Sequence, residues 1–349
     1  MKQLFIHPNN SIKEALKQMN KGGEKCLLVV GQDEELLGTL SDGDVRKAIL
    51  NGKKLNESIE KLYNINPSFL RKGQYTKRGV RDIFLNEKFN LIPVLNNHGK
   101  VVDLLTWSNT LKSESDQKLQ NINIPVVIMA GGRGTRMEPF TKILPKPLIP
   151  IQEKPVIEHI IEKFNDFGCN EFYMTVNYKG RILKAYFEEL QPKYNLEFIE
   201  EKELLGTAGS LRFFKQRIRR TFFVTNCDTI IKADYGSLYE FHEKGGYDIT
   251  LVASAKDFII PYGTCELNGD GYLSHINEKP KYDFLVNTGL YVLNPDVLEL
   301  IPKNKFYHIT HLIEDVKNHG KKVGVFPIDE DAWIDIGQWT EYRQAVERL

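Results

Sequence analysis

The sequence predicts an α/β protein, a mostly parallel sheet with helices on both faces, preceded by a smaller α+β unit that repeats itself. Three observations carry this reading. From residue 126 onward, short β-rich runs alternate with stretches of helical period, as in VVIMA, IEHIIEKFNDFG, EFYMTVNY and RILKAYFEEL. Residues 111–123, LKSESDQKLQNIN, are polar and have no apolar period, so they read as a linker between residues 1–110 and 124–349. Finally, residues 28–44, LVVGQDEELLGTLSDGD, can be laid without a gap over residues 93–109, PVLNNHGKVVDLLTWSN.

In the first unit, Ile12, Ala15, Leu16 and Met19 recur at helix spacing, as do Val80, Ile83 and Phe84. Each helix precedes a short strand, a polar turn and a second strand that ends on a hydroxyl residue, Ser41 or Thr106. Two such halves can bury their sheets against each other. Both copies resemble cystathionine-β-synthase-type (CBS-type) modules, which occur in tandem as regulatory domains. The segment GTLSDGDVRKAI is similar to that family's adenosyl-ligand motif, and the resemblance implies that Ser41 and Asp44 hold the phosphate and ribose of an adenosine nucleotide. The second copy has Thr106 and Asn109 there, so its acid is missing. Paired modules of this kind commonly associate, which makes a homodimer the expected assembly.

In the second unit, Val126 to Met129 reads as a strand covered on both faces. A helix follows over 157–168, with Ile157, Ile160, Ile161 and Phe164 on one side and Gly168 as its stop. A strand over 171–178, a helix over 181–190, and strands over 220–230 and 247–254 continue the alternation. Open sheets of this kind bind ligands at the carboxyl ends of their strands. The glycines after Met129 and Asp228 after Phe222 to Thr225 both fall there.

Composition limits the partners. Lys and Arg number 47 against 46 Asp and Glu, a net charge of +1, which gives no ground for a nucleic-acid partner. The four cysteines, Cys26, Cys169, Cys227 and Cys265, are far apart without metal-ligand spacing and suit a reducing compartment. No apolar run is long enough to span a membrane, so a cytoplasmic location is expected.

The chemistry concentrates in AGGRGTRMEPFTKILPKPLIPI, residues 130–151. Gly131, Gly132 and Gly134 let backbone N–H groups turn toward one anion, while Arg133 and Arg136 add forked charged donors suited to a polyphosphate. The pattern is neither GxGxxG nor GxxxxGK[ST], so neither hydride transfer nor an ordinary ATPase is indicated. It resembles the signature of the sugar-1-phosphate nucleotidyltransferases, and the likeness runs from residue 124 to about 343. That family implies a Rossmann-like, GT-A-like fold. It implies that Ala130, Gly131, Gly132, Gly134, Thr135 and Arg136 wrap the nucleotide phosphates, and that Arg136 and Lys146 neutralise the reacting groups, with Glu153 and Lys154 framing the site.

Later segments match too. LLGTAGSL implies base and ribose contacts by Gly206, Thr207 and Ala208, and VTNCDTI implies Asp228 as a catalytic magnesium ligand. INEKP and VNTGLYVLNP imply sugar-phosphate contacts by Glu278, Lys279, Asn287, Thr288 and Gly289, and WIDIGQWTEY implies Asp335 as the second Mg²⁺ ligand. Trp333 and Trp339 read as packing around it. His308 and His311 have no accompanying acid or cysteine at ligand spacing, so a helix-start or interface role is expected.

The implied reaction joins an NTP to a sugar 1-phosphate and releases pyrophosphate. A phosphate monoester is mostly ionised at neutral pH, so no general base is required. Regulatory modules fused before such an enzyme resemble the bacterial guanylyltransferases of surface-glycan pathways, notably the glucosamine-1-phosphate guanylyltransferases of legionaminic acid synthesis. GTP and glucosamine 1-phosphate are therefore the expected substrates, with mannose 1-phosphate as the rival sugar. A different class also fits: an adenosine-nucleotide sensor with a weak catalytic unit. Intact Arg136, Lys146, Asp228, Lys279 and Asp335 argue against it.

Overall fold

The computed structural model describes residues 1–22, 24–76, 79–80, 83, 91–106 and 121–348; Phe84, Asn109 and most of the expected linker lie outside the described residues. The chain divides into two compact units. One comprises Met1–Gln117, Ala255–Val286 and Asp329–Asp331; the other comprises Lys118–Ser254, Asn287–Ile328 and Ala332–Leu349. The span expected as one domain from residue 124 thus contributes two segments to the first unit. Strand length explains this: Ile249–Ile259 and Lys281–Leu293 have 11 and 13 residues, long enough to run beyond their own sheet. Ala255, fully buried, joins the core of the first unit.

In that unit the helix Ile12–Gly22 buries Ile12, Ala15, Leu16 and Met19, the residues selected by periodicity. Strand Cys26–Val30 is buried throughout, pairs antiparallel with Leu36–Ser41 and parallel with Phe5–Ile6. The second copy repeats the arrangement with Leu91–Leu95, Val101–Thr106 and Leu70–Arg71. The end pairs Cys26↔Ser41 and Val30↔Leu36 recur as Leu91↔Thr106 and Leu95↔Val101, and both ladders bulge at the same place, Val29/Val30 and Val94/Leu95. A bulge reproduced in register makes the sequence repeat a structural one.

The second unit is built on a seven-stranded sheet. Its order is Asn195–Glu200, Glu171–Val176, Val126–Ala130, Phe222–Asn226, Lys281–Leu293, Ile249–Ile259, Val323–Asp329. The first four run parallel, and Lys281–Leu293 pairs antiparallel with the fourth. Val126, Ile128 and Ala130 join one apolar core, with the helix Val156–Asn165, while Val127 joins another with Phe214 and Leu312. Two covered faces explain why this strand is apolar at consecutive positions. Gly168 has φ 80, and a Cβ there would lie 2.2 Å from Asn121 Oδ1, so the helix stop requires glycine twice over.

The strand expected over 220–230 is two: Phe222–Asn226 in the main sheet and Thr229–Ile231 in a small ladder with Trp333–Asp335. The strand at 171 ends at Val176 and that at 247 begins at Ile249. Among the described residues no helix is long and apolar enough to cross a membrane. Cys26, Cys169 and Cys227 are buried thiols and Cys265 is exposed.

Candidate active site

Register brings four parallel strands to a common edge, because Val176 pairs with both Ala130 and Glu200, and Met129 pairs with Asn226. The glycine turn, Glu201 and Asp228 all follow those ends. Together they line a pocket of about 350 Å³ whose walls include Gly131, Gly132, Gly134, Thr135, Arg136 and Lys146. Gly134 sits at φ 67, and a Cβ there would meet Thr141 Cγ2 at 3.0 Å and Lys146 Cβ at 3.2 Å. The missing side chain is what lets the Lys146 stem pass beneath the turn. The Thr141 hydroxyl donates to Gly134 O at 3.0 Å, which ties the turn down.

Lys146 is 9% exposed and Asp228 9%, and the lysine ammonium donates directly to Asp228 Oδ2. Asp335 comes alongside through the small ladder: Thr229 pairs with Asp335, and the Ile336 N–H donates to Asp228 O at 2.9 Å. Burial raises the Asp335 carboxyl above its ordinary pKa, and the charge of Asp228 raises it further; the Gly337 N–H, Lys146 and Arg136 oppose this. Burial, followed by the Asp228 charge, likewise pushes the Cys227 thiol up to about 12, so it is no nucleophile at neutral pH. The described residues contain no cluster of three or more metal-ligating side chains. Asp228 lines the pocket, whereas Asp335 lies outside its lining and next to Asp228 through the ladder; two neighbouring carboxylates fit a divalent cation that takes its remaining oxygens from phosphate and water. The mutual repulsion felt at Asp335 is the strain such a cation relieves.

The other wall comprises Glu201, Leu204, Gly206, Thr207 and Phe306. Gly206 has φ 78, with Tyr307 O 2.8 Å from where a Cβ would stand. Ala208 N–H donates to Tyr307 O at 2.9 Å, and the Thr207 hydroxyl accepts from Ile309 N–H at 3.0 Å, at the start of the helix Ile309–Asn318. Glu201, Asn226 and Phe306 escaped the sequence reading. Glu201 is 7% exposed, and burial raises its pKa against hydrogen bonds from Thr175, Leu205 and Ser210. A Cβ on Gly131 would lie 2.8 Å from its Oε1. Only the glycine allows backbone and carboxylate to meet in one pocket.

Not every expected residue converges there. Ala130 and Ala208 are buried and outside the pocket lining. The Thr288 hydroxyl is buried and donates to Val252 O at 2.9 Å, a bond within the sheet. Asn287 donates to the Tyr291 hydroxyl at 2.7 Å, and Gly289 at φ 86 makes room for Asn226. Glu278 and Lys279 are exposed and belong to the first unit, with Lys279 at φ 47. Lys154 is held by Glu162 at 2.5 Å. Ser41 and Asp44 engage each other: Ser41 Oγ donates to Asp44 Oδ2 at 2.6 Å, and Asp44 N–H donates to Ser41 Oγ at 3.2 Å, a capping box for Asp42–Leu50. His308 caps its helix, as expected, with its N–H toward His311 Nδ1 at 3.4 Å. Trp339 Nε1 donates to Glu138 O at 2.9 Å and its ring lies 4.9 Å from that of Phe140, which fastens the glycine turn's continuation to the last helix.

A protein-family model described as nucleotidyl transferase matches residues 125–349. The chain belongs to that family. A CBS domain model matches residues 1–51, so this nucleotidyl transferase carries a CBS domain at its N-terminus. It is 33% identical over 222 residues to mannose-1-phosphate guanyltransferase 2 of Candida glabrata, covering 61% of each chain. The corresponding Saccharomyces cerevisiae enzyme is 32% identical over 222 residues, again 61% of each. The chain thus spans about three fifths of the curated relatives it matches. Among solved structures, HddC from Yersinia pseudotuberculosis superposes with a TM-score of 0.52 at 27% identity, over 64% of this chain and 99% of that one. Its complex with GMP-PN gives 0.51 at 26% identity, covering 64% of this chain and 99% of that one.

Proposed function

We propose that this protein transfers a guanylyl group from GTP to a hexose 1-phosphate, forming a GDP-sugar and pyrophosphate. The observation that carries it is the pocket at the carboxyl ends of the parallel strands that gathers the glycine turn, Arg136, Lys146 and Asp228, with Asp335 brought beside Asp228 by the small ladder. The sugar phosphate's own ionised oxygen attacks the α-phosphorus as the bond to pyrophosphate breaks, so no proton acceptor is needed. The protein's work is alignment and charge. Backbone N–H groups of Gly131 to Gly134 cradle phosphate oxygens; Arg136 and Lys146 balance the charge that grows on the leaving pyrophosphate. Asp228 and Asp335 would hold Mg²⁺, which when bound screens the triphosphate from the incoming anion. Lys279 is assigned to the sugar phosphate.

Glu201 supports the choice of base. Guanine presents an adjacent N1–H and N2–H₂, two donors that one carboxylate accepts together, whereas adenine, cytosine and uracil offer no such pair. The guanylyltransferase relatives point the same way. For the sugar, the fused regulatory modules favour glucosamine 1-phosphate and a place in legionaminic acid synthesis, while the relatives favour mannose 1-phosphate. The CBS-type unit is assigned an adenosine nucleotide as regulator. Purified protein, Mg²⁺, each NTP and a panel of sugar 1-phosphates, read by mass spectrometry, tests the base and the sugar, and the same assay with AMP or ATP added tests the regulator. GDP-glucosamine or GDP-mannose is the expected product, and no product across the panel rejects the enzyme in favour of a sensor.

A further inference from the structure

The contact between Lys146 and Asp228 carries a consequence beyond the general chemistry of this family. Lys146 is not a surface lysine that happens to find an acid. Its stem is seated against Gly134, it lies in the turn Lys146–Leu148 between two prolines, and its ammonium rests on Asp228 Oδ2 with both side chains nearly enclosed, at 10% and 13% exposure. An ammonium at that oxygen occupies coordination space on one of the two carboxylates assigned to the divalent ion. The pocket therefore contains a cation of its own, seated on Asp228. A lysine on a four-carbon stem is also able to leave, because its charge is a point rather than a fixed fork.

We infer that Lys146 is a built-in placeholder for the metal: it blocks Asp228 against divalent ions in the free enzyme and moves onto phosphate when a nucleoside triphosphate arrives, releasing the carboxylate. This rests on the nucleotidyl-transfer reading above. The charges make the exchange self-consistent. Lys146 partly neutralises Asp228 through their direct ion pair, and Arg136 lines the same pocket. A triphosphate supplies about four negative charges, strong enough to draw the lysine off one carboxylate. Divalent ions then enter only with the nucleotide. The free enzyme is protected from a tightly held wrong metal.

The test is Mn²⁺ binding, read by electron paramagnetic resonance on the full chain without nucleotide and then with a non-hydrolysable GTP analogue. Wild type should bind Mn²⁺ weakly when alone. Lys146→Met should bind it at least tenfold more tightly, Lys146→Arg should remain as weak as wild type, and the Lys146→Met/Asp228→Asn double variant should lose the gain. Lys146→Met binding no better than wild type would overturn the placeholder, provided the analogue still brings Mn²⁺ to wild type in an Asp228-dependent manner. If the analogue recruits no Asp228-dependent Mn²⁺ at all, the proposed site itself fails, and the placeholder with it. A circular dichroism spectrum and melting curve for each variant separate misfolding from altered binding.

Discussion

Replacing Asp335 by Asn should make the protein more stable and nearly inactive at once. Asp335 lies beside Asp228 through a three-residue ladder and is partly buried, so its charge is disfavoured by lost hydration and by a like neighbour. Asp335 pairs with Thr229, the residue after Asp228, and like charges on such diagonal neighbours, roughly 5–8 Å apart, repel by about 2–3 kcal/mol at an effective dielectric of about 20. Lys146 and Arg136 offset part of this, which leaves a net relief of about 1–2 kcal/mol. Asn keeps an oxygen for the Gly337 N–H, which donates to Asp335 Oδ1 at 2.8 Å. In a unit of this size the relief corresponds to a rise in melting temperature of roughly 3–6 °C. Turnover should fall at least about 10²-fold, because a carboxylate assigned to the metal is gone.

The pH dependence gives the sign. A carboxyl whose native pKa is raised opposes folding only when ionised, so wild type loses stability as pH climbs from the ordinary Asp value through the native one. The melting difference between variant and wild type should be small in acid and reach a plateau near neutral pH. Scanning calorimetry from about pH 4 to pH 8, with pyrophosphate release measured alongside, makes the comparison. A variant no more stable than wild type at neutral pH, or one that keeps normal turnover, refutes the paired-carboxylate reading.

Four further outcomes are expected. Glu201→Ala should abolish the preference for GTP over ITP, which lacks the N2 amino group, a loss of about 1–3 kcal/mol of discrimination in kcat/KM, whereas an unchanged ratio would place the base elsewhere. Acid should erode the same preference in wild type sooner than for an ordinary glutamate, because burial raises the Glu201 pKa. Gly206→Ala, at φ 78 and against Tyr307 O, should cost more than about 1 kcal/mol by denaturant titration and raise KM for the nucleotide. Ser41→Ala should remove the helix cap and lower the melting of the first unit by about 0.5–2 kcal/mol, with basal turnover unchanged; titration with AMP then shows whether the same hydroxyl also serves a ligand.

The sequence disclosed the parts of this molecule that are local. Helix Ile12–Gly22 and helix Val156–Asn165 bury the residues their periodicity chose, and the glycine turn was visible because its neighbours alone require it. The repeat in the first unit was readable to the residue. Asp228 was visible as a residue at a strand's carboxyl end, but its pairing with Asp335 came only through family likeness, since two carboxylates joined by a distant ladder leave no shared pattern in the sequence. Glu201 was invisible for a related reason: in EKELLG it looks like a surface glutamate, and its burial depends on the strand edge and on Gly131. Thr288 misled in the opposite sense. Its hydroxyl, adjacent to a glycine in a matched motif, is engaged within the sheet by Val252.

The small ladder between Thr229–Ile231 and Trp333–Asp335 also separates the framework from the proposed site. Every strand of the seven-stranded sheet precedes Asp335 in the chain, so the framework pairs its strands without the segment that brings Asp335 beside Asp228. On the proposed assignment, a change that melts only this ladder should cost turnover before it costs the sheet.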